Sequence, residues 1–250
     1  MKRLFFILIT IILATIKLSA QDNLQAANAA YAKGDFAKAI ELYEAVLKEK
    51  GESVTVYYNL GNSYYKANKI APSILNYERA LLLDPGNSDI RFNLDMAKLK
   101  TVDKIEPIGE FFLTSWFRSV QNLLSTDAWS TFAIVCFILL IGCLFLFFFS
   151  RKILIKRLSF YAGICLLVLV VFGNIFAYDQ NKTLTEHTGA IIFVPTTTIK
   201  SSPAESGTDL FILHEGTKVK LRNNKIGDWN EIETADGNVG WIKSDEIVVI

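Results

Sequence analysis

Apolar positions fall along this chain in three different rhythms. Between residues 21 and 104 they recur every three or four positions, the spacing of one helix face. From residue 188 onward they alternate with polar residues in short runs, AIIFV, TKVKLR, WNEIET and EIVVI. The runs are separated by the turn-forming stretches SGTD, HEGT, IGD and ADGN. That alternation predicts several short strands forming a small all-β barrel over residues 188–250. In three further places the apolar residues continue without a charge: Leu4–Ile16, Ala128–Ser150 and Leu158–Tyr178.

The last two runs set the architecture. As helices rising ~1.5 Å per residue they reach about 34 and 31 Å, enough to cross a bilayer. They predict transmembrane helices at 128–150 and 158–178. The loop between them, residues 151–157, reads RKILIKR, with four cations and no acid. Short basic loops stay cytoplasmic. The hairpin therefore points its tip inward and places both outer ends across the membrane. The first run agrees, because MKRLFFILITIILATIKLSA has early cations, an apolar stretch and a small residue at Ala20. This is the layout of a signal peptide over residues 1–20. Lys17 and Leu18 near the cleavage point also suit an uncleaved anchor, and both readings export the chain from residue 21 onward.

Composition changes this picture little. The hydrophobic fraction of 51% reflects the three runs, and the net charge is only +1. Cys136, Cys143 and Cys165 all lie inside apolar runs. A disulfide framework or a cysteine zinc site in the polar segments is thereby excluded. Ahead of the first span, Phe111, Phe112, Trp116, Val120 and Leu123 recur at helical spacing. They predict a juxtamembrane amphipathic helix within 105–127, lying in the headgroup layer or packed on the preceding helices.

The helical segment repeats itself. Val54 to Asn87 spans 34 residues, with Tyr57, Leu60, Gly61 and Tyr64 on a first helix and Ser73, Tyr77, Ala80 and Pro85 on a second helix and its stop. Gly61 and Ser73 are small where two antiparallel helices must cross closely, with aromatic bulk beside them. Pro72 falls in the first turn of the second helix, where its missing N–H costs nothing. A weaker copy lies one period upstream, with Gly34, Ala39 and Tyr43 in register, and a half copy, SDIRFNLDMAKLK, lies downstream. These features resemble the tetratricopeptide family. The resemblance implies units at about 20–53 and 54–87 and a capping helix at 88–100, within a domain spanning 21–104. Carried over by position, it implies a partner-binding groove lined by Asn28, Tyr31, Tyr58, Asn62, Tyr65, Lys66, Phe92 and Met96.

After a linker at 179–187, the C-terminal segment resembles bacterial SH3-like domains. Ser201-Ser202-Pro203, Leu213 through Gly216-Thr217 and GDWNEIETADGNVGWIKSDEIVVI carry the likeness. Some such domains bind cell-wall peptides, which makes Trp229 and Trp241 a candidate ligand surface; core packing of both is the alternative. Thr198-Ile199-Lys200 departs from the family pattern, where an apolar residue is followed by Arg.

The fold class is thus a multidomain membrane protein: all-α tetratricopeptide hairpins, a two-helix transmembrane hairpin and a C-terminal SH3-like barrel. This order, together with RFNLDMAKLKTVDKIEPIGEFFLTSWF at residues 91–117, resembles the BatE-type proteins of bacterial aerotolerance operons. The resemblance implies a complex with von Willebrand A-domain membrane proteins and a role in oxidative-stress tolerance. It implies residence in the inner membrane, with both soluble parts periplasmic.

No catalytic chemistry is legible. His187 and His214 have no partner at metal-ligand spacing, and no nucleophile elbow, Walker loop or dinucleotide fingerprint occurs. The exported segments are slightly acidic, so no nucleic-acid footprint exists. The expectation is a non-enzyme without cofactor or metal. Its partners are other proteins and the lipid bilayer, with peptidoglycan the alternative ligand.

Overall fold

The computed structural model describes residues 23–109 and 111–250. The expected signal peptide lies outside the described residues. These residues divide into two compact units. One comprises 23–81, 87–108 and 188–250; the other comprises 82–86, 109 and 111–187.

The first unit begins with five helices. These are α1 (23–32), α2 (Phe36–Lys50), α3 (Val54–Lys66), α4 (Ile70–Leu83) and α5 (Ser88–Lys98). Each hairpin closes on a left-handed residue one repeat period apart, Gly34 at φ +80° and Asn68 at φ +58°. Glycine and asparagine are the residues that tolerate this region. Asp35 caps α2 by accepting from the Lys38 N–H, and Asn87 caps α5 by accepting from the Asp89 and Ile90 N–H groups. The helices close on each other because the crossing residues are small. A Cβ on Gly61 would sit 2.7 Å from two ring carbons of Tyr77, and the Ser73 hydroxyl donates to the Gly61 carbonyl at 2.8 Å. Ala27, Ala39, Ile40, Tyr43, Val46, Val56 and Leu60 form one core cluster. Ile74, Tyr77, Ile90 and Leu94 are equally buried further along.

The same unit ends in seven antiparallel strands. These are β1 (Gly189–Ile192), β2 (Thr196–Lys200), β3 (Asp209–His214), β4 (Lys218–Ile226), β5 (Trp229–Glu233), β6 (Val239–Lys243) and β7 (Ile247–Val249). They form one sheet in the order β3-β2-β6-β5-β4-β1-β7. Its core is Ala190, Ile192, Ile199, Leu213, Val219, Ile232, Ile242 and Ile247.

Helices and sheet are joined by a strap, residues 101–108, that has no regular structure. Ile105 packs into the sheet core and the Ile108 N–H donates to the Ala235 carbonyl. Asp103 accepts from the His214 N–H at 2.7 Å and the Thr217 hydroxyl at 2.6 Å, and meets His214 Nδ1 at 2.8 Å. Burial would raise the Asp103 carboxyl, but the bonds from Thr217 and His214 outweigh it and hold the group below its usual range. Glu78 on α4, only 7% exposed, pairs with Lys98 of α5 and Lys218 of β4. Here too burial pushes upward, and the two ammonium groups win, keeping the carboxylate ionised. Arg79 Nη2 adds a bond to the Val249 carbonyl at 2.8 Å.

The second unit holds α6 (Phe112–Gln121), α7 (Thr126–Phe149) and α8 (Ile153–Glu186). Two of them, α7 with 24 residues and α8 with 34, are long and apolar enough to cross a bilayer. They pack where side chains are small: a Cβ on Gly173 would meet Ala133 Cβ at 3.2 Å, and one on Gly163 would meet Leu140 and Cys143. Helix bounds differ from the sequence reading in two places. The basic tip is helical from Ile153, leaving only 150–152 as the turn, and α8 runs on through the polar residues 179–186 that read as a linker. Gln180, Lys182, Leu184 and Glu186 are good helix formers, and the preceding apolar run has already nucleated the helix.

Candidate protein-docking groove

The face formed by α1, α3 and α5 carries a hydrogen-bond ladder that repeats every 34 residues. In the first rung the Tyr43 hydroxyl donates to Asn28 Oδ1 at 2.6 Å, and Asn59 Nδ2 reaches the same oxygen at 3.5 Å. In the second, the Tyr77 hydroxyl donates to Asn62 Oδ1 at 2.6 Å and Asn93 Nδ2 does so at 2.9 Å. Asn93 also donates to the Tyr58 hydroxyl at 2.9 Å. Each asparagine is thus gripped by its own second helix and by the next first helix. Burial holds the Tyr43 and Tyr77 phenols above their usual pKa, so both remain donors.

This ladder revises the part Asn28 and Asn62 would play toward a ligand. Their side-chain carbonyls are spent on tyrosines, so what they have left to offer an extended backbone is amide donor capacity. Tyr31 packs edge-on against Phe36, with ring centroids 5.5 Å apart. Tyr58 lies 6.1 Å from the Tyr77 ring, half-buried. The outward-facing members are Tyr65, whose ring carries Lys100 Nζ 4.0 Å above it, exposed Lys66, and Phe92 and Met96 at 65% and 40% exposure. Leu99, at 68% exposure, extends the apolar strip beyond the residues the spacing named. Asn59 and Asn93 occupy matching repeat positions in the sequence, and their bonds to Asn28 and Asn62 make them part of the ladder although the spacing did not name them for the groove.

The two tryptophans part company. Trp229 is half-buried beneath Lys243 Nζ, 5.7 Å from its ring centroid. Trp241 is 8% exposed, on the face of β6 opposite Ile242. Packing, the alternative weighed for it, is what its burial reflects. His214, read as an isolated histidine, is part of the Asp103 clasp. Among the described residues no group of three or more His, Cys, Asp and Glu side chains is placed to hold a metal.

Residues 24–89 match the tetratricopeptide repeat family. The match covers about a quarter of the chain and spans α1 to α4. Comparison with curated proteins returns no match. Tetratricopeptide repeats are a protein-interaction fold rather than a catalytic one, so this part of the chain is suited to docking other proteins.

Proposed function

We propose that this protein is a non-enzymatic, membrane-anchored scaffold that docks partner proteins in its tetratricopeptide groove. The observation that carries the reading is the ladder. It ties the first helices together while leaving Lys66, Phe92 and Met96 exposed along one face beside half-buried Tyr65, so little order is lost when a partner chain settles there. The groove residues Asn28, Tyr31, Tyr58, Asn62, Tyr65, Lys66, Phe92 and Met96 contribute unequally, with Tyr65 and Phe92 as flat apolar anchors.

The site is the outer side of a bacterial inner membrane. Support comes from the first unit itself: Asp103 with His214 and Glu78 with Lys218 join segments that lie before and after both apolar helices. Such contacts require the helical and β parts to share one side of the bilayer, and the basic tip then selects the outside. The resemblance to BatE-type proteins points to von Willebrand A-domain membrane proteins as the docked partners, in an aerotolerance or envelope-stress complex. Replacing exposed Phe92 and Met96 together with alanine tests this, because neither belongs to the ladder that holds the helices. Partner recovery from detergent-solubilised membranes falls while membrane insertion is unchanged; unaltered recovery would exclude the groove.

Half-buried Trp229 under Lys243 keeps one rival open, peptidoglycan binding by the β part. The test must use the full chain, because residues 188–250 alone lack the Ile105 side chain that fills their core. Failure of the full chain to co-sediment with purified peptidoglycan removes this rival.

A further inference from the structure

We propose that α6 lies in the outer lipid leaflet, with Phe112, Leu113 and Trp116 inserted among acyl chains. It recognises apolar space between lipids rather than anionic headgroups. The proposal rests on the reading of α7 and α8 as membrane spans.

Sequence and exposure define the two faces. At 100° per residue, Phe112, Leu113, Trp116, Phe117 and Val120 fall within one sector, and Thr114, Ser115, Arg118, Ser119 and Gln121 fill the other. Phe112, Leu113 and Trp116 are 69%, 52% and 64% exposed, with Phe111 and Leu123 beside them at 65% and 68%. In water such a cluster of large apolar side chains would be costly.

The depth of α6 follows from its anchorage. Gln180, two residues past the apolar run that ends at Tyr178, donates from Nε2 to the carbonyls of Gln121 at 2.9 Å and Leu124 at 3.0 Å. Gln121, itself 6% exposed, donates to Asp179 Oδ2 at 2.9 Å, and its carbonyl also accepts from Trp129 Nε1 at 2.7 Å. The C-terminal end of α6 is thereby tied to the level where α8 leaves the bilayer. One turn back along α6, the Phe117 ring lies 4.9 Å from that of Phe176. Phe176 sits four residues deeper in α8, about 6 Å at the helical rise. A helix climbing away into water would not make that contact. Trp129 packs at a tilt of 55° against the same Phe176 ring, with centroids 4.8 Å apart, adding to the aromatic cluster at this level.

The polar face decides what is recognised. Within Phe112–Gln121 it is built of hydroxyls and an amide, with Arg118 as its one charge. Helices that bind acidic membranes electrostatically carry several cations there. Here apolar insertion supplies the affinity, so anionic lipid adds little.

The test is a nitroxide scan of the full chain in phosphatidylcholine nanodiscs. Cys136, Cys143 and Cys165 are replaced by alanine, and single cysteines are placed along 112–121, with Leu139→Cys of α7 as control. Labels at 112, 113 and 116 should show an oxygen-to-nickel-chelate accessibility ratio several-fold above those at 114, 115 and 118. The pattern should persist when anionic phosphatidylglycerol is mixed in. Gln180→Met should flatten the periodicity while leaving the Leu139→Cys signal intact. Nickel access at 112, 113 and 116 would overturn the proposal. So would shielding from both reagents, which means protein covers them, or a pattern that appears only with anionic lipid. Loss of oxygen access at the Leu139→Cys control would instead sink the membrane reading itself.

Discussion

Asp103→Ala should open the strap locally without unfolding the helices. The carboxylate holds three groups, the His214 N–H, the Thr217 hydroxyl and His214 Nδ1. Hydrogen bonds to a charged acceptor contribute about 1.5–3 kcal/mol each, but they do not simply add. The Thr217 hydroxyl can rotate, and the His214 side chain, 30% exposed, can find water. The His214 N–H has less freedom, so its loss dominates, and the net cost comes to about 2–3 kcal/mol. That is a roughly 30- to 150-fold shift in the opening equilibrium. Hydrogen–deuterium exchange of the full chain in detergent reads it directly, in peptides covering 101–108 and 211–220. Asp103→Asn keeps the shape and one acceptor and should cost about half as much. The folded carboxyl titrates below its unfolded value, so its contribution is complete above about pH 4 and is lost as pH falls through the folded value. The same peptides should therefore open on acidification in wild type before those of α1 and α2. If exchange rises less than about threefold, or rises equally in α1 and α2, Asp103 is not a local clasp.

Other perturbations address the remaining packing. Gly61→Ala puts a methyl into the Tyr77 ring, which its bond to Asn62 holds in place, and should lower repeat stability by about 1–3 kcal/mol in thermal circular dichroism. Tyr77→Phe leaves Asn62 Oδ1 with Asn93 alone and should cost about 1 kcal/mol by the same measurement. Gly173→Val collides with Ala133 and should lower the unfolding temperature of the hairpin in detergent, an overpacking cost of about 1–3 kcal/mol. Partner recovery with the last variant's soluble part intact should match wild type.

What the sequence made legible was local. Gly61 and Tyr77 are sixteen residues apart, and a small residue facing a large one across a hairpin is visible as spacing. The apolar spans, the alternating strands and the 34-residue period are likewise patterns within one window. The strap was not legible, because Asp103 and His214 are 111 residues apart and neither sits in a periodic run. The sheet misled in one respect. Alternation assumes one wet face, yet Gly240, Trp241 and Ile242 of β6 are all buried, so Trp241 passed as a surface candidate. For the proposed groove, position did not reveal the hydrogen-bond partners. Asn28 and Asn62 read as ligand contacts, whereas their carbonyls are internal acceptors.

Two repeats and a half-unit are near the smallest stack that stays folded, because each repeat buries its apolar face only against a neighbour. Here the last neighbour is the β part. A Cβ on Gly216 would lie 2.8 Å from Thr101 Cγ2 and 3.2 Å from Ile74 Cδ1, so the β3–β4 turn approaches the strap and α4 closely at this point. Gly216 also takes φ +84°, which a side chain rarely adopts, so chain conformation and close approach select glycine together. Lys104 Nζ closes α5 by donating to the carbonyls of Lys98, Leu99 and Thr101, leaving the strap to continue into the sheet core through Ile105. The strap and the Glu78 ion pairs thus brace α4 and α5, while Phe92 and Met96 stay exposed. A short solenoid braced this way keeps its shape without the additional repeats that would otherwise stabilise it, which is what the proposed docking role requires.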